Sequence, residues 1–226
     1  MDVSLIELRQ RWATLADSCE PRPPASAWAT LGTGLVACYQ EPSRSYHTDV
    51  HLLAVLRTLE ELTAPVAPPL TAQLAAWFHD AVYDPTRSDN EAASAHMARV
   101  RLAEFGLSSD VIADVATMVE ATATHDAGTC TAPGVEFLLD ADLSILGAPG
   151  RHYETYRRAI RQEYAYLEEG VFRSGRSAVL RRMLERPRVY LSEAGAARFE
   201  ASARANLAAE LASLADPHRE TPGADL

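Results

Sequence analysis

The chain has 226 residues, 47% of them hydrophobic and 7% aromatic, with a formal net charge of −10. That length and apolar content support the buried core of a single domain and exclude a disordered chain. The acidic balance excludes a broad electrostatic grip on long nucleic acid, and an apolar set rich in Ala and Leu favours helix over strand.

Leu5, Leu8, Trp12 and Leu15 recur at helical spacing and predict a helix over 3–17. Pro21-Arg22-Pro23-Pro24 breaks it, and a second helix reads over 26–39. The loop Glu41-Pro42-Ser43-Arg44-Ser45 leads into a helix over about 46–64, with Leu52, Val55, Leu56 and Leu59 as its core stripe. Pro65 to Pro69 form a turn. Thr71 then reads as the N-cap of a helix ending near His79-Asp80. After a short loop, helices follow over about 88–105 and 108–125. Gly128 to Gly134 form the next loop, before a short helix over 135–146. Beyond the breaker Ala148-Pro149-Gly150, the segment 151–168 is rich in Tyr, Arg and Glu. Helices are predicted over about 174–185 and 193–214, and a frayed tail after Pro217. With no alternating strands and no internal repeats, the fold class is all-α.

The chain contains no lysine; its 21 basic residues are all arginine. A Schiff base and a P-loop lysine are excluded, so an anion must be held by arginine, histidine, backbone N–H groups or metal. Cys19, Cys38 and Cys130 are widely spaced and odd in number, which argues against a disulfide framework and a thiolate zinc site. The N-terminus has no signal-peptide pattern and no apolar run is long enough to cross a bilayer, so a cytoplasmic protein is expected.

The chemistry concentrates in histidine and aspartate. His47 and His51 are four apart, so on one helix they share a face, and either could reach an ion between helices. His79-Asp80 offers a nitrogen and an oxygen at the end of an apolar run. His125 follows a helical stretch, where the helix dipole alone accounts for a histidine. Asp140 and Asp142 are two apart and diverge on a helix, so one of them faces an ion and the other caps a helix or orients a histidine. Imidazole and carboxylate without sulfur suit Mn, Fe, Co, Ni or Zn.

The ordered set of a histidine, a His-Asp pair and a final aspartate resembles the HD-domain superfamily of metal-dependent phosphohydrolases. Arg44-Ser45-Tyr46-His47, Ala76-Trp77-Phe78-His79-Asp80-Ala81-Val82-Tyr83-Asp84, Asp89-Asn90-Glu91, the segment from Leu139 to Gly147, and Ile160-Arg161-Gln162-Glu163-Tyr164 are similar to a bacterial subgroup of predicted HD phosphohydrolases. The resemblance covers about 40–210. It implies an HD-type helical bundle (core about 40–150) carrying additional C-terminal helices (about 151–214). It also implies His51, His79, Asp80 and Asp142 as ligands of a divalent transition metal. His51 is preferred to His47, and Asp142 to Asp140, because apolar residues follow the first histidine and Ala141-Asp142-Leu143 matches the final motif.

The implied activity is hydrolysis of a small phosphate ester, such as a nucleotide, by metal-activated water. Glu91 or Asp84 would orient or deprotonate that water, with Glu91 preferred. Arg44, on a loop able to close over the pocket, His47, and by resemblance Arg161 and Arg176, are the candidates for gripping phosphate. His47 and His125 keep a second metal in play, with Asp140 as a further ligand or a supporting group. Some HD proteins hold two irons and cleave C–C or C–P bonds with oxygen, which is one alternative; a non-catalytic nucleotide-binding HD domain is another. A homodimer is compatible with the sequence.

Overall fold

A computed structural model describes residues 3–215; the predicted frayed tail after Pro217 lies outside the described residues. The described residues contain ten α-helices and no strand: α1 (Val3–Leu15), α2 (Ala25–Cys38), α3 (Asp49–Thr63), α4 (Leu70–Phe78), α5 (Asn90–Ala103), α6 (Ser109–Ala121), α7 (Val135–Asp142), α8 (Gly150–Glu163), α9 (Glu169–Glu185) and α10 (Glu193–Ala215). Two 3₁₀ turns extend the pattern, Ala16–Ser18 after α1 and Leu143–Gly147 after α7. No helix among the described residues is long and apolar enough to cross a membrane.

The chain divides into two compact units, one up to Ser144 and one from Ile145. The first unit also takes in α1 and α2, which precede the stretch expected to form the core. The reason is a tryptophan cluster. Trp12 on α1 stacks on Trp28 of α2 with ring centroids 4.3 Å apart, and meets Trp77 of α4 edge-on at 5.0 Å. Each of the first two indoles donates to the other's backbone carbonyl: Trp12 Nε1 to Trp28 O at 2.7 Å and Trp28 Nε1 to Trp12 O at 2.9 Å. Gly32 permits the approach, since a Cβ there would lie 2.1 Å from the Trp12 ring.

α4 is the centre of the first unit. Thr71, Ala72 and every residue from Leu74 to Phe78 are buried, and the helix packs on α3, α5, α6 and α7. A helix apolar on all sides belongs inside a core. In the second unit α9 packs on α10, and the inward face of α8 is Tyr153, Tyr156, Ile160 and Glu163.

Several boundaries differ from the sequence reading. α3 begins at Asp49 rather than 46, because Thr48 is extended. His47 therefore precedes the helix instead of sharing its face with His51. Thr71 does not cap α4. The helix enters directly from Pro69, whose ring presets a helical φ, and the Thr71 hydroxyl instead donates to Pro133 O. α6 ends at Ala121, and His125 beyond it adopts a left-handed φ of 49°. α9 starts at Glu169 rather than about 174, carrying Gly170 and Gly175 on faces where a Cβ would meet nothing.

Candidate metal centre

Three chain segments of the first unit end at one point. His51 comes from the first turn of α3, His79 directly follows α4, and Asp142 is the last residue of α7. Because α4 stops at Phe78, the following turn frees Asp80 to point where a continuing helix would have turned it away from His79. His51 Nε2 lies 3.2 Å from His79 Nε2 and 3.1 Å from Asp142 Oδ1. Asp80 Oδ2 lies 3.1 Å from His79 Nε2 and 3.6 Å from His51 Nε2. His79 Nε2 to Asp142 Oδ1 is 3.6 Å. Two atoms each about 2.1 Å from one cation, at tetrahedral or octahedral angles, stand about 3.0–3.4 Å apart. His51, His79 and Asp142 therefore form a possible metal-binding group, with Asp80 beside the two histidines.

The ring orientation fits as well. His79 Nδ1 is 2.8 Å from the carbonyl of Ala76, so that nitrogen donates there and Nε2 is the one that faces the cluster. Burial and charge compete across the group. Burial pushes the His51 pKa down. At His79 burial also opposes the charge, but the carboxylates of Asp80 and Asp142 outweigh it and raise the pKa to about 9. Burial works against both carboxylates, yet His79 and His47 bring Asp80 well below the usual range, and His79, His125 and His51 do the same for Asp142. Two part-buried carboxylates beside imidazoles make a pocket that favours positive charge.

No protein-family model, no curated protein and no solved structure matches this chain.

Around this cluster the other predicted residues separate into those near it and those engaged elsewhere. His47 stands beside the cluster, its ring 5.7 Å from that of His51 and 4.2 Å from that of Tyr83. His125 Nε2 lies 2.9 Å from Asp142 Oδ2, so the two oxygens of Asp142 face different histidines. Asp140 is buried on α7, and of the two aspartates it is Asp142 that reaches His51 and His79.

Arg44 is not a mobile arm over the pocket. Its side chain is 0% exposed, and its guanidinium donates to the carbonyls of His47 (3.0 Å), Asp80 (2.7 Å) and Ala81 (3.2 Å) while its Nε meets Glu41 at 3.3 Å. A planar fork of donors satisfies several carbonyls at once, which explains why arginine sits there. Arg44 thus ties the segment before α3 to the His79-Asp80 turn.

Asp84 Oδ1 accepts from the backbone and hydroxyl of Thr86, at 2.9 and 2.7 Å, and these bonds lower its pKa. Its carboxylate organises its own loop. Glu91 is half-buried in the first turn of α5. Three residues on, Ser94 Oγ accepts from Val82 N–H and donates to Val82 O, so this face of α5 lies against the segment that follows His79-Asp80.

Arg161 and Arg176 belong to the second unit. Arg161 donates to Glu169 and to the carbonyls of Tyr164 and Leu167. Arg176 makes two bonds to the buried Glu210, at 2.8 and 3.1 Å, with the Tyr156 ring beneath it.

Sequence reasoning missed Tyr39. Fully buried, its hydroxyl accepts from Asp80 N–H at 3.3 Å and donates to Trp77 O at 3.2 Å, bracing the turn that carries His79 and Asp80. Its two shortest bonds are to backbone atoms, which leave no residue pattern, and His79 Nδ1 lies further off at 3.5 Å.

Proposed function

We propose that this protein is an HD-type phosphohydrolase, with His51, His79, Asp80 and Asp142 holding one divalent transition metal and a small phosphate ester such as a nucleotide as substrate. The observation that carries the reading is the 3.1–3.6 Å spacing of the donor atoms of His51, His79 and Asp142, with Asp80 against both histidines and the other nitrogen of His79 facing a carbonyl. When bound, a divalent cation supplies water of lowered pKa and neutralises phosphoryl charge.

The chain's own residues do the rest. His79 and His51 would turn Nε2 to the cation, which displaces the proton from His79 Nε2, and Ala76 fixes the ring of His79. Asp80 and Asp142 complete the charge. Glu91 orients or deprotonates the attacking water from the α5 face beside the turn. His47, backed by Tyr83, faces the phosphate oxygens. Arg44 and Tyr39 are positioning residues, since both act through the backbone of the His79-Asp80 turn.

A second reading adds a cation between His125 and Asp142, the arrangement of a two-iron oxygenase. It is favoured by the split of the Asp142 oxygens between His51 and His125. Metal analysis of protein purified without chelator separates the two. One Mn, Co, Ni or Zn per chain with phosphate released from a nucleotide panel carries the first reading. Two irons with an oxygen-dependent spectrum replace it, and protein without metal or hydrolysis sinks both. His79→Ala is expected to abolish metal and turnover together.

A further inference from the structure

The three indoles of the first unit are not equivalent. Trp12 and Trp28 satisfy each other's chain carbonyls, whereas Trp77 Nε1 is buried and has no hydrogen-bond partner among the described residues. A buried donor left unpaired is costly, and native cores contain few. Trp77 also borders a cavity. A cleft of about 550 Å³ opens between α1, α3 and the loop joining α3 to α4, lined mainly by apolar residues such as Leu15, Leu56, Leu59, Pro65 and Trp77, with Thr14, Ser18 and Gln73 among them. That volume is within the range of small-molecule sites, which pair apolar walls with a few fixed polar groups.

We propose that this cleft is a binding site for a small, uncharged, mainly apolar molecule, an aromatic heterocycle by preference, that presents a hydrogen-bond acceptor to Trp77 Nε1. The polarity of the walls sets the class. Aliphatic and proline side chains favour a flat apolar body. At the rim, Arg11 is already paired with Glu7 and Glu60, so no charge there calls for a counter-ion on the ligand. The indole supplies a donor only, so the complementary group is an acceptor. Trp77 is 0% exposed, and contact with its Nε1 requires the wall to yield. The α3–α4 loop is the most exposed part of the wall, with Val66 72% exposed. The site is separate from the metal-ligand cluster and does not rest on the proposed hydrolysis. It reaches that cluster's support all the same, since the Trp77 carbonyl accepts from the Tyr39 hydroxyl.

The test uses the full chain, nitrogen-15 labelled, titrated at neutral pH with quinoline and separately with naphthalene, its shape-matched counterpart lacking the acceptor. The three indole N–H resonances are read by NMR, and Trp77→Phe assigns the one that disappears. The expected result is a saturable shift of the Trp77 resonance with quinoline, naphthalene binding about three- to tenfold more weakly, and little movement of the Trp12 and Trp28 signals. Ala67→Phe, on the exposed loop lining the cleft, is expected to abolish the shift while the Trp77 signal remains. This variant keeps the test decisive should Trp77→Phe fail to fold. A drift that never saturates, equal binding of the two probes, or quinoline binding untouched by Ala67→Phe would overturn the proposal.

Discussion

At the scale of single residues, the candidate metal centre depends on side chains that do not belong to it. Arg44 is the clearest. Its buried guanidinium serves three carbonyls, two of them in the Asp80-Ala81 turn. Arg44→Gln strands most of those acceptors and is expected to cost about 3 kcal/mol in chemical denaturation. It should also weaken metal binding measured by competition with a chelator. Arg44→Lys keeps the charge but loses the planar fork, so it should fall between the two. A lysine variant as weak as glutamine would refute the geometric role. His125 offers a second residue-scale test. Its φ of 49° favours glycine, so His125→Gly is expected to be more stable than His125→Ala by about 1 kcal/mol in thermal unfolding. If His125 holds a second ion, both variants lose one metal equivalent and keep the other.

At the scale of elements, α1 and α2 are fastened by the Trp12–Trp28 pair, and Gly32 sets how close they come. Gly32→Ala forces a methyl into the Trp12 ring and is expected to destabilise by about 1–3 kcal/mol, read from the denaturation midpoint, despite the better helix propensity of alanine. Gly34→Ala, on the same helix with open space around it, is the control and should be neutral or stabilising. The helices themselves were legible in the sequence because apolar residues recur on one face, as Leu52, Val55, Leu56 and Leu59 do on α3. Helix ends were less legible. Whether His47 lies inside α3 turns on the extended backbone of Thr48, which periodicity does not record. The choice of His51 and Asp142 rested on the apolar or small neighbours of each, and these two do meet His79. What the arginines contact was not legible at all. The partners of Arg44 are mostly backbone carbonyls, and Arg176 is matched to Glu210, 34 residues away.

At the scale of the whole molecule, a second charged centre lies in the second unit. Glu210 is buried, bonded by Arg176 and by the Tyr153 hydroxyl at 2.5 Å. Burial raises its pKa, but the Arg176 bonds and charge, with Tyr153 and Arg157, outweigh this, and the net shift is downward. A carboxylate depressed on folding contributes stability that is complete above its unfolded pKa of about 4.3 and is lost as pH falls through the lower folded value. Stability followed by circular dichroism is therefore expected to drop in that acid window. Glu210→Gln should flatten the drop and lower stability at neutral pH, because Arg176 is then buried beside a neutral amide. An unchanged acid profile would show that the pair contributes nothing.

The reciprocal bonds of Trp12 and Trp28 have a kinetic consequence. Each indole hydrogen is held by a backbone carbonyl of the other helix in a buried contact, so the parting of α1 from α2 exposes both together. Solvent deuterium should reach both at one shared rate, set by the parting of α1 from α2. The pair is thus a built-in clock for the opening of the N-terminal helices, and any variant that loosens their packing should advance both signals by the same factor.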